Sequence, residues 1–437
     1  SIGIPGLKKM AAGITDKHRA QSELGYRLNA RRNLDQPLSL TSNDFTSVNY
    51  GTNVYMKTAL VFDQLMAYLG EEVMDKCMHA YFEEWKFKHP QPDEMRKVFE
   101  RESGKDLSWV FGRMLESEEK YDVRALKLRP SATTFDSQPA SLVYKAKGPK
   151  NVLFPVTGYH GPDSLGTVWL RSAGAGIREE ENLPWPNVDR IRIDAGNRTL
   201  DIDRRNNEVR SHGLFKRCKA PKFESFMGVE RDDRRSVYYS LLPAWNGHDG
   251  WQAGLIFRNT TFPSQRTEWV VAPLYAFGSE RVVGGARIEH HFDRMRSRLF
   301  QNIHLGLSGR TSSTFHDHNA LAWYEKVSPS VRFDLKRDPL TRPWQHQIGL
   351  RGVHIRNRSE FEQDGEVLFR NTTRETYMEL SYSMEDSRKL HPTTITPIVT
   401  AAEDWVRASL EIKQAFAYNA RKKQLRLRAF AGSFLGN

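Results

Sequence analysis

From residue 236 to the end of the chain, apolar and polar residues alternate over long segments, and no other feature restricts the folding of this sequence so tightly. Val406, Ala408, Leu410, Ile412 and Phe416 share one side of an extended chain, with Arg407, Ser409, Glu411 and Lys413 on the other. Leu425, Leu427, Ala429 and Ala431 oppose Arg426 and Arg428, and Leu299, Ile303, Leu305 and Leu307 oppose Asn302, His304 and Ser308. Thr376, Met378, Leu380, Tyr382 and Met384 likewise oppose Glu379, Ser381 and Ser383. Segments of about ten such residues predict an antiparallel transmembrane β-barrel, with lipid outside and water inside. A soluble sandwich also alternates, but its strands usually run to about five or six residues. Trp245, Trp251, Trp269, Tyr275, Phe277, Trp323, Tyr324, Trp344 and Trp405 cluster near the expected strand ends, where they would form interfacial girdles. About ten strand candidates lie between Trp251 and Leu435. A barrel must close, and no aromatic-ended strand finishes the sequence, so further sequence is expected beyond Asn437.

The 437 residues suffice for roughly two or three domains. Residues 1–120 read as helical, 121–205 as a small β-sandwich of short strands, 206–235 as a polar, basic linker and 236–437 as the barrel. The fold class is thus a multidomain α + β chain. No run of about 18 apolar residues offers a membrane-spanning helix, and the first residues lack a signal-peptide pattern. Ser1 is therefore expected to follow a processing event or further sequence. The net charge of +12 is scattered among many acids, and without a recognition helix or RNA-reading motif it points to no nucleic acid. Cys77 and Cys218 fall in different predicted domains and suggest neither a disulfide framework nor a metal site.

Within the helical part, Ile14 to Asn29 is charged and poor in large apolar residues, so it is expected to lie over a surface. Tyr50 and Tyr55 stand in what reads as a polar, glycine-containing loop, Asn49 to Thr58, followed at once by a buried helix from Ala59. Leu60, Val61, Gln64, Leu65 and Tyr68 mark its inner face. Gly70 ends that helix, Glu71-Glu72 open the next, and His89-Pro90-Gln91-Pro92-Asp93 breaks the pattern, with Asp93 as the expected cap. A tyrosine at the mouth of a rigid helix can present its phenol to a developing oxyanion, although most buried aromatics simply pack.

In order, a Tyr-x-Lys helix start, a Leu-Gly break, a Tyr-Phe helix, a Lys-His-Pro turn and the helix start Ser103-Gly104-Lys105-Asp106-Leu107-Ser108-Trp109 resemble one family. They look like the C-terminal half of the catalytic domain of aminopeptidase-N-like zinc metallopeptidases, the gluzincins. The resemblance covers about residues 35–115. It implies a peptide substrate and a role for Tyr55, with Met56-Lys57-Thr58 behind it, in hydrogen-bonding the tetrahedral oxyanion. Tyr50 matches a second active-site tyrosine, and Thr58 departs from the usual glycine or alanine. It also implies zinc, yet no His-Glu-x-x-His occurs in the sequence, so the ligands are expected outside it, before Ser1.

A second resemblance joins the two ends of the chain. Leu241-Leu242-Pro243-Ala244-Trp245-Asn246-Gly247-His248-Asp249-Gly250, with Ala272-Pro273-Leu274-Tyr275-Ala276-Phe277-Gly278, looks like the barrel of outer-membrane metallopeptidases. It implies a bacterial outer-membrane protein with lipid around the barrel, and the general habit of bacterial barrels places the soluble domains in the periplasm. The alternative is a non-catalytic peptidase-like scaffold working in envelope assembly or in a complex with other outer-membrane proteins. Among the remaining histidines, adjacent His290-His291 would point to opposite faces of a strand, and His316-Asp317-His318 reads as a solvated loop; neither predicts a metal site.

Overall fold

The computed structural model describes residues 17–129, 140–213, 216–217, 220–225, 228, 230–232, 234–293, 297–317, 319–363, 366–386, 388, 390–419 and 423–435. Cys218 and His318 lie outside them. The chain is a mixed helical and antiparallel β structure in two compact units, one made of 1–222 with 229–235 and the other of 223–228 with 236–437.

Among its described residues the first unit holds four α-helices of twelve residues or more: α1 (Lys17–Ala30), α2 (Thr58–Leu69), α3 (Glu71–Trp85) and α4 (Pro92–Ser103). Leu60, Val61, Gln64 and Leu65 lie on the buried face of α2, as its spacing predicts, while Leu69 is buried in place of the half-buried Tyr68. Gly70 separates α2 from α3 with φ of +88°, a conformation that favours glycine. The cap of α4 is Gln91 rather than Asp93. Glu94 returns a bond to the Gln91 backbone N–H at 2.8 Å in a reciprocal capping box, and Pro92 takes the first helical turn. Helix α1 also departs from expectation, because Tyr26, Arg27, Asn29 and Ala30 are buried. Its charges face inward to other charges: Arg27 donates to both Asp232 oxygens at 3.1 and 3.2 Å, and Arg204 donates to Glu23 at 2.8 Å.

Seven strands follow in the same unit: β1 (Asp122–Arg129), β2 (Ala140–Lys147), β3 (Leu153–His160), β4 (Asp163–Arg171), β5 (Gly176–Leu183), β6 (Arg190–Ile193) and β7 (Glu208–Arg210). They make one sheet in the order β1-β2-β5 and another in the order β4-β3-β6-β7. Val123, Leu142 and Tyr144 from the first share a core with Phe154, Val156 and Ile191 from the second. The same cluster takes in Leu65, Phe99 and Trp109, so helices and sheets bury one continuous apolar interior. Gln64 joins them by hydrogen bonds, donating to the Leu153 carbonyl at 2.9 Å and accepting from the Leu200 N–H at 3.2 Å.

The second unit is a twelve-stranded antiparallel sheet with its strands in sequence order. After β8 (Pro221–Ser225) come β9 (Arg235–Asn246), β10 (Gly250–Arg258), β11 (Thr267–Ala276), β12 (Arg281–Asp293), β13 (Phe300–Asp317), β14 (Ala320–Leu335), β15 (Trp344–Gln363), β16 (Glu366–Asp386), β17 (Thr393–Ala402), β18 (Val406–Asn419) and β19 (Lys423–Leu435). Among the described residues no pairing joins β19 to β8, so closure of the sheet is not seen. No described helix is long and apolar enough to cross a membrane.

Register turns the alternation into two continuous faces. Leu305, Val331, Leu350, Leu380, Val399 and Ala408 lie opposite one another across six strands, a row of apolar side chains. One position along, Ser330, Arg351, Glu379, Thr400 and Arg407 form a polar row, with Arg351 donating to Glu379 at 2.9 Å. Two sequence readings change here. His316 and Asp317 extend β13 instead of forming a loop, and Trp323 is buried, with the Arg281 guanidinium 3.8 Å over its ring, instead of lying in an exposed girdle.

Candidate active-site element

Asn49 to Thr58 is not a loop. Thr46 caps a single helical turn, accepting from the Asn49 N–H at 3.2 Å, and the chain then widens into a π-helical segment, Tyr50–Lys57, that runs directly into α2. Thr58 marks the wider winding: its N–H bonds to the Asn53 carbonyl, and its hydroxyl donates to the same oxygen at 3.2 Å. Such wide turns are rare and concentrate at functional sites.

The widening decides where the tyrosines point. In an α-helix, residues five apart are rotated by about 140° from one another. A winding bonded from i to i+5 brings them over each other instead. Tyr50 and Tyr55 therefore meet edge to face with ring centroids 6.1 Å apart, and Phe45 also meets Tyr50 edge to face at 6.4 Å. Both tyrosines face solvent, Tyr50 at 42% and Tyr55 at 64% of full exposure. Tyr55 is thus not a core aromatic.

The opposite side of the segment is polar and fully buried, through Asn49, Asn53 and Lys57. Asn49 donates to the Leu34 carbonyl at 2.6 Å and to Gln36 Oε1 at 2.8 Å, and it accepts from Asn29 at 2.8 Å. Asn53 donates to the Gln36 carbonyl at 2.6 Å. Gln36 in turn accepts from the Thr46 N–H at 2.9 Å, which ties the cap to the same lattice. Lys57 donates to the Ser117 carbonyl at 3.2 Å and lies 3.8 Å from Asp35, which also pairs with Lys120. Burial pulls the Lys57 ammonium down to about 8, and Glu118 opposes the shift. Helix α1 crosses the segment at Gly25, where any Cβ would come within 2.3 Å of Met56 Sδ.

Chemically, this element offers a phenol donor on a rigid, solvent-facing support. It holds no nucleophile paired with a base. Among the described residues, no three His, Cys, Asp or Glu side chains of this unit converge as metal ligands. Cys77 is buried and free in α3.

Residues 15–114 match the family model described as the Peptidase family M1 domain. That segment is therefore related to aminopeptidase-N-like M1 peptidases, and the relation supports a peptidase-like function. The match spans 100 of the 437 residues and ends before β1, so it carries nothing about the strands. No curated protein matches the chain.

Proposed function

We propose that the helical segment supplies the oxyanion-binding side of a peptidase active site, carried by a chain whose long sheet is an outer-membrane barrel. The observation that carries this reading is the wide turn, which brings Tyr50 and Tyr55 edge to face on the solvent side of a buried polar lattice. Tyr55 donates its phenolic hydrogen to the oxygen of a peptide carbonyl as negative charge develops there. Such a donor, fixed in advance, loses nothing to reorganisation during reaction. Tyr50 touches the Tyr55 ring and positions it. Peptidases of the M1 family use zinc, but this segment does not fit a zinc site, since its sequence has no His-Glu-x-x-His and its described residues include no convergent ligand set. Ligands would have to come from other residues, and no step is assigned to the metal.

The barrel reading rests on the apolar row of side chains across β13–β18 and on strands of up to 21 residues, too long for an ordinary sandwich. It gives the sheet an outer-membrane address, lipid as the neighbour of its apolar face and the periplasm as the place of the helical segment.

Tyr55→Phe in the complete protein tests the catalytic assignment. Turnover of a peptide substrate is expected to fall about 10²- to 10³-fold, the usual loss for one oxyanion donor, with KM little changed. Unchanged turnover would remove Tyr55 from the mechanism. In a second reading, the helical segment is a docking scaffold for envelope assembly or for other outer-membrane proteins. Metal content separates the readings. One zinc in the complete protein that is retained in His304→Gln favours the enzyme, and none favours the scaffold.

A further inference from the structure

We propose that Glu289, His291 and His304 form a binding site for a divalent transition-metal ion on the polar face of the long sheet. The three belong to neighbouring strands β12 and β13, and register sets His291 directly opposite His304. Their ligand atoms all lie within 4.8 Å of one another. Glu289 and His291 are two residues apart and so share a face, while Ile288 and Phe292 point the other way. His290 also points away from the cluster and meets the Thr267 hydroxyl at 2.7 Å.

The arrangement around His304 is that of a metal ligand already held in place. Its Nε2 sits 2.7 Å from Asp334 Oδ2, which keeps the proton on that nitrogen and leaves Nδ1 as a lone-pair donor. A carboxylate gripping the remote nitrogen of a ligating histidine is the usual outer partner of such sites. The free Nδ1 faces His291 Nδ1 at 2.5 Å and Glu289 Oε1 at 3.5 Å. Such a contact is bridged either by an Nδ1–H of His291 or, once that proton leaves, by a metal ion held between the two lone pairs. A slight ring rotation opens the gap to the roughly 3.3 Å that separates two ligands each about 2.05 Å from a tetrahedral ion. Arg287 holds the second oxygen of Glu289, so Oε1 stays turned toward the histidines. Arg332 lies 3.6 Å from both Glu289 and Asp334 and offsets part of their charge. Two imidazoles and one carboxylate suit zinc-like ions over calcium or magnesium, and three protein ligands leave a fourth position for water.

The test is a titration of the chelator-stripped full chain with Co²⁺, followed by displacement with Zn²⁺. One equivalent of Co²⁺ with visible d–d absorption is expected, lost on adding zinc. His291→Gln and His304→Gln should each weaken binding at least tenfold, and Asp334→Asn about tenfold through the outer partner. His346→Gln, elsewhere on the sheet, should leave it unchanged. Absence of Co²⁺ binding by the wild-type chain overturns the proposal, as does binding that both histidine variants retain. Should those variants misfold, X-ray absorption on the zinc-loaded wild type decides: two imidazole ligands uphold the site, and fewer overturn it.

Discussion

Lys57 is a residue under tension between two requirements. It anchors the inner side of the wide turn to Ser117 and Asp35, yet it keeps an ammonium away from water. Its pKa of about 8 compares with about 10.4 for an unfolded lysine. Between those values the unfolded chain binds more protons, so stability rises with pH across the window. Relative to Lys57→Met, the wild type should gain up to about 3 kcal/mol from pH 8 to pH 10.5, read from denaturant midpoints of the two proteins. A difference that stays flat with pH would mean the ammonium is solvated. At this scale the sequence was only partly legible. Leu60, Val61, Gln64 and Leu65 declare their burial through spacing alone. The position of Tyr55 does not, because widening of the helix is set by the Asn49, Asn53 and Gln36 lattice, and Gln36 lies well before the turn. Adjacency to His290 predicts no shared site for His291, and the residue opposite it, His304, is found only once strand register is known.

At the scale of elements, the decisive feature is the charged seam under α1. Arg27 and Arg204 are both buried and share Asp232, from a stretch whose composition reads as a linker. Burial alone would raise the Asp232 carboxyl, but the two guanidinium groups overcome it and hold it below the ordinary carboxylate range. Its stabilising contribution is therefore complete above the unfolded carboxylate pKa and is lost as pH falls through the depressed folded value. Asp232→Asn should destabilise the first unit by about 3–5 kcal/mol, the cost of leaving buried charges without their partner. A loss below about 1 kcal/mol, measured by denaturant unfolding, would class the pair with solvated surface bridges. The sequence pattern misplaced α1 for a reason visible in these residues: a helix whose inner face carries Arg27 and Asn29 has no apolar stripe, and its burial is licensed by acids about two hundred positions away.

For the molecule as a whole, the two faces of the long sheet are not equivalent, and a pair of substitutions separates them. Leu380, in the apolar row, and Glu379, in the polar row, are adjacent in β16. If lipid covers the apolar face, Leu380→Arg should cost about 2–4 kcal/mol in bilayer-reconstituted protein near the midplane. Glu379→Gln breaks one exposed ion pair and should cost at most about 1 kcal/mol. Equal, small effects in unfolding from vesicles would argue that water, not lipid, covers both faces.

The strands are also unequal in length, 20 and 21 residues for β15 and β16 against 10 for β17. Pairing between β16 and β17 begins only at Tyr377, so among the described residues 366–376 have β15 on one side and no strand on the other. That leaves a step in the sheet, with backbone donors and acceptors directed sideways over eleven residues. Such an open border can recruit any extended chain that drifts alongside it. Here Arg370, Arg374 and Glu375 stand along the step, and charges at a border make flush pairing with a like strand unfavourable. A like strand laid flush along the step would have to desolvate these charges, which sets the open border against self-polymerisation.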